Sequence, residues 1–577
     1  MRLKVSKSKN TTLFYIIKDY TKNGKRSTKI VKRIGNIEDV KIMAGNMDYN
    51  IWLKEYVKKF NEEHGHNETI LIKKNNNRLI EKDVNKLFNV GYLFLEKIYN
   101  DLNIKNICEE IQKKHQFHFD LNEILSYLVY ARIIYPSSKL ETFKQCKKFI
   151  KMPNFELHDE YRALSYLAKY LDFIQQEIFN NSKNLINRNS KVIYYDCTNY
   201  FFEIDDEDDL RKYGASKEHR PNPIVGMGLF MDGDGLPLSM NIYPGNRNEQ
   251  KTLIPEETKI VKNFKLEDTK IILCTDAGLS SDKIKKYNIK DGRAFVITQS
   301  LKKLKSEIKE KVFDKSDWRI VGDLRNVYNI ESIEKDSSLK EKYYDTIFYK
   351  IIEYETQSVK QDLIVTFCFK YLDYCRNIRN NQIERARKSI QDNQVTRKGK
   401  NQNDYRRFIE SINSTDDGEV AENIEYSINQ EKIDEEEKYD GFYAITTNLV
   451  GDIKEIIKIV KGRWEIEESF RIMKSDFLAR PINLSREDRI NAHFLTCFIA
   501  LFIYRLLEKK LDYKYTTTQI INTLKNMNLY EVKGDGYLPT YTRTDLTDEL
   551  HEKFDFRTDY EINTYSDLKK IFKQIKQ

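Results

Sequence analysis

Asp196, Asp276 and Glu467 are the residues of this chain with the most chemical promise. Asp196 follows the apolar run Val192-Ile193-Tyr194-Tyr195, and Asp276 follows Ile271-Ile272-Leu273-Cys274-Thr275, so both are expected at strand ends. Glu467 lies in Gly-Arg-Trp-Glu-Ile-Glu-Glu-Ser-Phe-Arg-Ile-Met-Lys, residues 462–474, which reads as a helix. Hard divalent cations such as Mg²⁺ take oxygen ligands and keep positions open for water and phosphate. Two strand-end carboxylates and a helix carboxylate are the donor set that a metal-dependent, phosphodiester-cutting site needs. Cations also relieve the repulsion that would otherwise leave one clustered carboxylate protonated. Plainer readings stand beside this one. A strand-end Asp often caps a turn, and Asp276 is placed to cap Ala277-Gly278-Leu279.

At roughly 100° per residue, Arg463, Glu467 and Lys474 fall within about 40° on one helix face. Ile466, Phe470, Met473 and Phe477 form the adjoining apolar stripe. Arg463 offers a fork to phosphate oxygens and Lys474 a point charge. Taken alone, the commoner reading is an amphipathic helix with an i,i+4 charge pair. Glu465 and Glu468 point away from Glu467 and are not chosen. Lys217, His219 and Arg220 form a cationic loop that suits either the DNA backbone or solvent. Asn246 and Glu249 are candidates to support the site from behind. Trp464 could stack on an unpaired base, but a packed tryptophan is the more common outcome, and His493 reads as a core histidine.

These residues need several elements to position them. The chain has 577 residues, enough for roughly three or four domains. Lys and Arg number 98 against 89 Asp and Glu, and the net +9 is too modest to prove a polyanionic partner. Basic clusters at 22–33, 302–311 and 385–400 are more informative than the total. The seven cysteines are scattered without a C-x-x-C pair, which argues against a zinc ribbon or a disulfide framework and suits a reducing cytosol. No secretory leader is expected. The longest apolar run, 494–504, is too short to span a bilayer and reads as a buried helix, so no membrane partner is expected.

The first forty residues alternate apolar and polar around Asn23-Gly24, which predicts a β-hairpin. Helical periodicity follows from about 83 to 181, with Pro136 ending one helix. Strands are then expected at 192–195, 224–231 and 236–243, a helix at 250–263, a strand at 269–275, a helix at 280–288 and a strand at 294–298. Three strands, a helix, then alternation matches a ribonuclease-H-like mixed sheet better than a doubly wound one. In that fold the first and fourth strands lie side by side. The predicted class is thus α/β (α+β), with the catalytic core preceded by a helical region and a hairpin. The expected organisation is a hairpin region 1–65, a helical DNA-binding region 66–188, the first part of the core 189–299, a strand-containing insertion 300–440, the second part of the core 441–515 and a tail 516–577. The tail is weakly patterned and expected at the periphery.

Several segments together resemble bacterial insertion-sequence transposases of the DDE type, in the group with a tyrosine–arginine–glutamate–lysine signature. They are Tyr195-Asp196-Cys197-Thr198-Asn199-Tyr200, then Tyr213-Gly214-Ala215-Ser216-Lys217-Glu218-His219-Arg220-Pro221, then Gly235-Leu236-Pro237-Leu238 with Pro244-Gly245-Asn246. Thr275-Asp276-Ala277-Gly278-Leu279 and the helix from Gly462 to Lys474 complete the set, which covers about 190–515. The resemblance implies that Asp196, Asp276 and Glu467 are the metal triad, and that Arg463 and Lys474 are the basic part of the signature. It implies Mg²⁺, with Mn²⁺ able to substitute, and double-stranded DNA partners, namely the element's ends and a target. It further implies a homodimer bridging two ends, in a bacterial cytoplasm and on the nucleoid when bound to DNA. The position three before Arg463 is Val460 where the signature has tyrosine, so the resemblance leaves that tyrosine's contacts, and a DNA-hairpin or another cleavage route, open. Two rival readings are a DNA-binding protein that has lost transposition, and a stand-alone ribonuclease-H-like nuclease. The second leaves the first 180 or so residues without a role.

Overall fold

The computed structural model describes residues 1–7, 11–22, 25–45, 47–64, 72, 76–77, 79–267, 269–356, 358–392, 394–395, 403–412 and 425–577. The chain divides into two compact units, Met1–Val84 with Val532–Gly536, and Asn85–Glu531 with Tyr537–Gln577. In the first, strands Arg2–Lys7, Thr12–Lys22 and Lys25–Asn36 form an antiparallel sheet. The latter two pair as far as Lys22 and Lys25, as a hairpin requires, and the expected Asn23-Gly24 turn lies outside the described residues. Phe14, Ile16 and Ile34 of this sheet pack on Val40, Leu53 and Phe60 of the helices Ile37–Ala44 and Tyr49–His64.

In the second unit, six helices between Tyr92 and Ser182 precede a ten-stranded sheet. Its core elements are β1 (Val192–Phe201), β2 (Ile224–Asp232), β3 (Pro237–Pro244), α1 (Gln250–Asn263), β4 (Ile272–Thr275), α2 (Asp282–Lys290) and β5 (Ala294–Thr298). β1, β2 and β3 are antiparallel neighbours, whereas β1–β4 and β4–β5 are parallel. The order β3-β2-β1-β4-β5 is the ribonuclease-H-like arrangement. Parallel pairing of β1 with β4 follows from α1, because a parallel neighbour needs a long crossover.

The sheet continues beyond β5 through β6 (Trp318–Ile320), β7 (Asp323–Tyr328), β8 (Phe348–Glu355), β9 (Lys360–Phe367) and β10 (Phe442–Thr447), in the order β7-β6-β8-β9-β10-β5. The strands expected inside the insertion therefore extend the core's own sheet. β9 alternates across it, with Leu363, Val365 and Phe367 in one core and Ile364 in another. A long helix, α3 (Phe369–Gln391), lies between β9 and β10 in sequence.

Alternation along β1 fixes the layers. Val192, Tyr194 and Tyr200 face a helical layer, and Ile193, Tyr195 and Cys197 face α1 and α2. The segment expected to be helical over 453–510 is broken into α4 (Ile453–Gly462), α5 (Trp464–Arg471), a π-helical turn Ile472–Asp476 and α6 (Glu487–Lys510). α6 is long and apolar enough to cross a membrane, yet 94% of its most apolar window is buried inside the protein, so it is the core helix expected from 494–504. The tail is not peripheral. Ile520, Leu524, Leu550, Phe554, Ile571 and Ile575 join the same core as α6. Each tail helix is only ten or eleven residues, too short for its periodicity to stand out before docking.

One buried pair gives a pH-dependent stability. Glu257 of α1 is 1% exposed and accepts from Arg293 at 3.2 Å and Asn288 at 3.3 Å. Burial nevertheless pushes its carboxyl up to about 7, with Arg293 and Asn288 opposing and Asp291 adding to the rise. A raised folded pKa contributes stability below the unfolded value, and that contribution is lost as pH rises through the folded one. Between pH 5 and 8, wild type is expected to lose on the order of 2 kcal/mol relative to Glu257→Gln. Parallel unfolding midpoints for the two proteins across that range would refute this.

Candidate active site

Asp196 lies within β1, not at its end as expected. The strand runs on because residues 197–201 keep their register with β2, from Cys197 opposite Gly228 to Phe201 opposite Ile224. The period of two places Asp196 on the face shared by Tyr194 and Tyr200, beneath the helical layer. Asp276 directly follows β4, as expected. The register pairs Val192 with Ile272 and Tyr194 with Cys274, and the same offset sets Asp196 beside Asp276. Asp276 also caps the turn Ala277–Leu279, its Oδ1 accepting from Gly278 N at 3.0 Å and Leu279 N at 3.2 Å. The plain and chemical readings of this residue coexist, because a cap holds the carboxylate in place.

The half-buried Asp196 accepts from Cys197 N at 2.7 Å. Burial pushes its carboxyl up to about 6, the charge of Asp276 adds to the rise, and Lys217 and Arg463 oppose it. The two acids therefore repel each other across neighbouring strands.

Glu467 comes from the opposite layer. α4 and α5 meet at Gly462 and Arg463, against β1. Tyr194 Oη donates to Ile459 O at 2.9 Å, and a Cβ on Gly462 would stand 2.2 Å from that hydroxyl, so only glycine permits the approach. Ile466, Phe470, Met473 and Phe477 are all buried, as the apolar stripe required. Arg505 of α6 fixes α5 from behind, donating to Glu465 O at 2.9 Å and Ser469 Oγ at 2.9 Å and pairing with Glu508 at 2.9 Å. Glu465 faces Arg505 at 3.2 Å and Glu468 faces Arg471, away from the site.

Arg463 is the hub. Its guanidinium pairs with Glu467 Oε1 at 2.7 Å. Burial works against its charge, but Glu467, Tyr443, Asp196 and Asp276 outweigh burial and hold its pKa up. Tyr443 of β10, read from sequence only as part of a strand, stands beside Arg463 and Glu467, and its hydroxyl is 2.6 Å from Thr298 Oγ1. Asp196 and Asp276 are thus set on neighbouring strands, and Glu467 pairs with Arg463, whose charge is felt by both. Among the described residues, no three His, Cys, Asp or Glu side chains stand close enough to hold a metal ion as they are. Glu467 is paired with Arg463.

The other cations surround this centre. Lys217 pairs with Glu249 at 3.2 Å, donates to Cys197 O and senses Asp196; burial works against its charge, and the two acids hold it on. Lys474 lies on the π-turn, beyond the regular helix that carries Glu467. It pairs with Glu218 at 3.1 Å, and burial, aided by Lys217, brings it down to about 8. Such π-turns often mark functional sites. His219 is exposed and holds a left-handed backbone, with φ 56°. Arg220 lies over the Phe201 ring at 5.0 Å. Trp464, expected in the core, is 56% exposed, because the apolar stripe of α5 leaves it on the outer face. His493 is buried near Ala479 O at 3.0 Å, and burial holds it well below its usual pKa. The residues that sequence reading missed are Tyr443, Glu218 and Arg480. Only Glu218 carried a signal, as a member of the 213–221 segment.

A family model described as "Transposase DDE domain" matches residues 201–503, just over half of the chain. That match begins five residues after Asp196 and includes Asp276 and Glu467. No curated protein matches the chain. Among solved structures, a cryo-EM structure of a piggyBac transposase synaptic complex with hairpin DNA is similar at 10% identity and a TM-score of 0.34, covering 84% of each chain. That superposition is too loose to carry residue roles across.

Proposed function

Because this chain belongs to the transposase DDE domain family, we propose that it moves an insertion sequence by binding the element's terminal inverted repeats, cutting there and joining the ends to target DNA. The observation that supports this reading is the register that sets Asp196 beside Asp276 on neighbouring strands, with Glu467 paired to Arg463, whose charge is felt by both aspartates. The donor set fits a hard divalent cation. The candidate donors are all carboxylate oxygens, and a cation relieves both the burial and the added Asp276 charge that raise Asp196. Asp196 and Asp276 would hold the ion, with Glu467 joining when it turns away from Arg463. When bound, Mg²⁺, or Mn²⁺ in its place, neutralises charge at the scissile phosphate and makes the attacking oxygen easier to deprotonate.

The protein's own groups orient the DNA. Arg463, released by Glu467, presents its fork to oxygens of the scissile phosphate. Lys217, held by Glu249 and the Cys197 carbonyl, faces the neighbouring phosphate, and Arg220 and His219 continue the track. Hydrolysis frees a 3′-hydroxyl, which then attacks a target phosphodiester in line. No Ser or Tyr nucleophile takes part, so no covalent protein–DNA species forms. Joining two ends calls for two protomers, in a bacterial cytoplasm and on the nucleoid.

The test is incubation with duplex DNA carrying the element's own ends, with Mg²⁺ or Mn²⁺, and mapping of strand breaks. Breaks at the repeat boundaries are expected. Binding without breaks would favour a lapsed DNA-binding protein, and breaks without end preference a stand-alone nuclease. End binding should also weaken steeply with salt, by about 0.9 in log–log slope per neutralised phosphate. A flat response from low to moderate salt would remove the basic side chains from the DNA track.

A further inference from the structure

Glu218 and Arg480 stand outside the three-carboxylate centre, yet they complete an ionic cluster against it. The 213–221 segment is a built turn. Asn199 Nδ2 donates to Ala215 O at 3.0 Å and Asn199 Oδ1 accepts from Lys217 N at 3.2 Å. Ser216 Oγ accepts from the backbone N–H of Glu218 at 3.3 Å and of Arg220 at 3.2 Å. A Cβ on Gly214 would stand 2.2 Å from Gly245 O, so the turn seats against the end of β3 only with glycine there.

This turn sends consecutive side chains to different partners. Lys217 goes to Glu249 and the Cys197 carbonyl, and Glu218 goes to Lys474, at 3.1 Å, and to Arg480. Aromatic rings support the cations: Arg220 and Arg480 lie over Phe201 at 5.0 and 5.6 Å, and Lys474 lies over Tyr200 at 5.2 Å. Phe201 and Tyr200 belong to the same strand as Asp196. The side chains of Lys474, Glu218 and Arg480 are 14%, 23% and 24% exposed, so this pairing is partly withdrawn from water. Cations so placed demand an anion, and carboxylate and phosphate oxygens satisfy the same donors.

We infer that the Glu218 carboxylate occupies a phosphate subsite, in which Lys474 and Arg480 take a DNA backbone phosphate once Glu218 swings out. The subsite lies along β1 from Asp196 and extends the DNA track past the chemical centre. The resident acid keeps the two cations paired until DNA displaces it. Arg480 thereby becomes a DNA contact. This inference rests on the proposed function.

The experiment is anisotropy with a fluorescein-labelled DNA duplex of arbitrary sequence across a salt series, using the full chain. Glu218→Gln should bind about three- to fivefold tighter at moderate salt, the scale of releasing one partly screened ion pair. Arg480→Gln should bind more weakly, with a log–log salt slope shallower by about 0.9, the loss of one phosphate contact. In the Arg480→Gln background, the gain from Glu218→Gln should shrink. Glu552→Gln, an exposed site on the tail helix Asp545–Phe554, controls for net charge. If E552Q tightens binding as much as E218Q, or E218Q leaves it unchanged or weaker, the subsite is overturned. An unchanged slope for R480Q overturns it independently, even should E218Q fail to fold. A wild-type chain that binds no duplex would instead overturn the proposed function.

Discussion

Asp196→Ala, Asp276→Ala and Glu467→Ala each lower Mg²⁺-dependent cleavage of end DNA by about 10³-fold or more, the scale of losing a group that acts as part of a unit. End binding stays within about a few-fold of wild type, because the phosphate contacts come from Arg463, Lys217 and their neighbours. The three acids come from β1, from the turn after β4 and from α5, and the charge of Arg463 is felt by all of them, so no local refolding substitutes for any of them. The stability readout separates a chemical role from a structural one. Asp196 and Asp276 repel each other in the folded protein, so Asp196→Asn should leave the metal-free chain as stable as wild type or more so. An acid kept for its structural bonds would instead destabilise on replacement. Any one variant that cuts end DNA at the wild-type rate removes that residue from the site.

Arg188→Ala destabilises the second unit by about 3–5 kcal/mol, the usual result of stripping one partner from a buried ion pair. Arg188 Nε meets Asp232 Oδ2 at 2.7 Å, with the two side chains 1% and 0% exposed. The same guanidinium donates to Ser182 Oγ at 3.0 Å and to Pro237 O at 3.0 Å, tying the helix Leu171–Ser182 to the β2–β3 hairpin. Without it, Asp232 keeps bonds from Asp234 N and Leu236 N but has no countercharge, while burial already raises its pKa. Replacing both partners together, as Arg188→Met with Asp232→Leu, should cost much less, because no uncompensated charge remains. The measurement is the denaturant midpoint of each variant. An R188A midpoint indistinguishable from wild type would refute the pair's role.

Much of the site's frame was legible because its signals are local. The apolar runs before Asp196 and Asp276 marked β1 and β4, and the order of three strands, a helix and a strand set them as parallel neighbours. The stripe Ile466, Phe470, Met473 and Phe477 docked α5 as its spacing required. The length of β1 was not legible, since residues 197–201 are held by pairing with β2, whose partner residues lie 23 to 31 positions away. Nor was the π-turn at Ile472–Asp476, which carries Lys474. Trp464 read as a core residue because bulk and apolarity are properties of the residue, whereas which face it takes depends on the packing of α5. The tail helices read as peripheral because each is too short to advertise a buried face before it docks.

From its residues alone, this chain determined which side chains could bear the chemistry and the strand order that would bring two of them side by side. Residue type and short-range periodicity fix chemical capacity and backbone preference, and both are written in adjacent positions. Tertiary structure decided which charges meet: Glu467 on Arg463, and Lys474 and Arg480 on Glu218. Those pairings follow from Coulomb forces and desolvation between groups separated along the chain by four residues in one case and by more than 250 in the others. Such forces act only once the sheet and its helical layer have excluded water from between them.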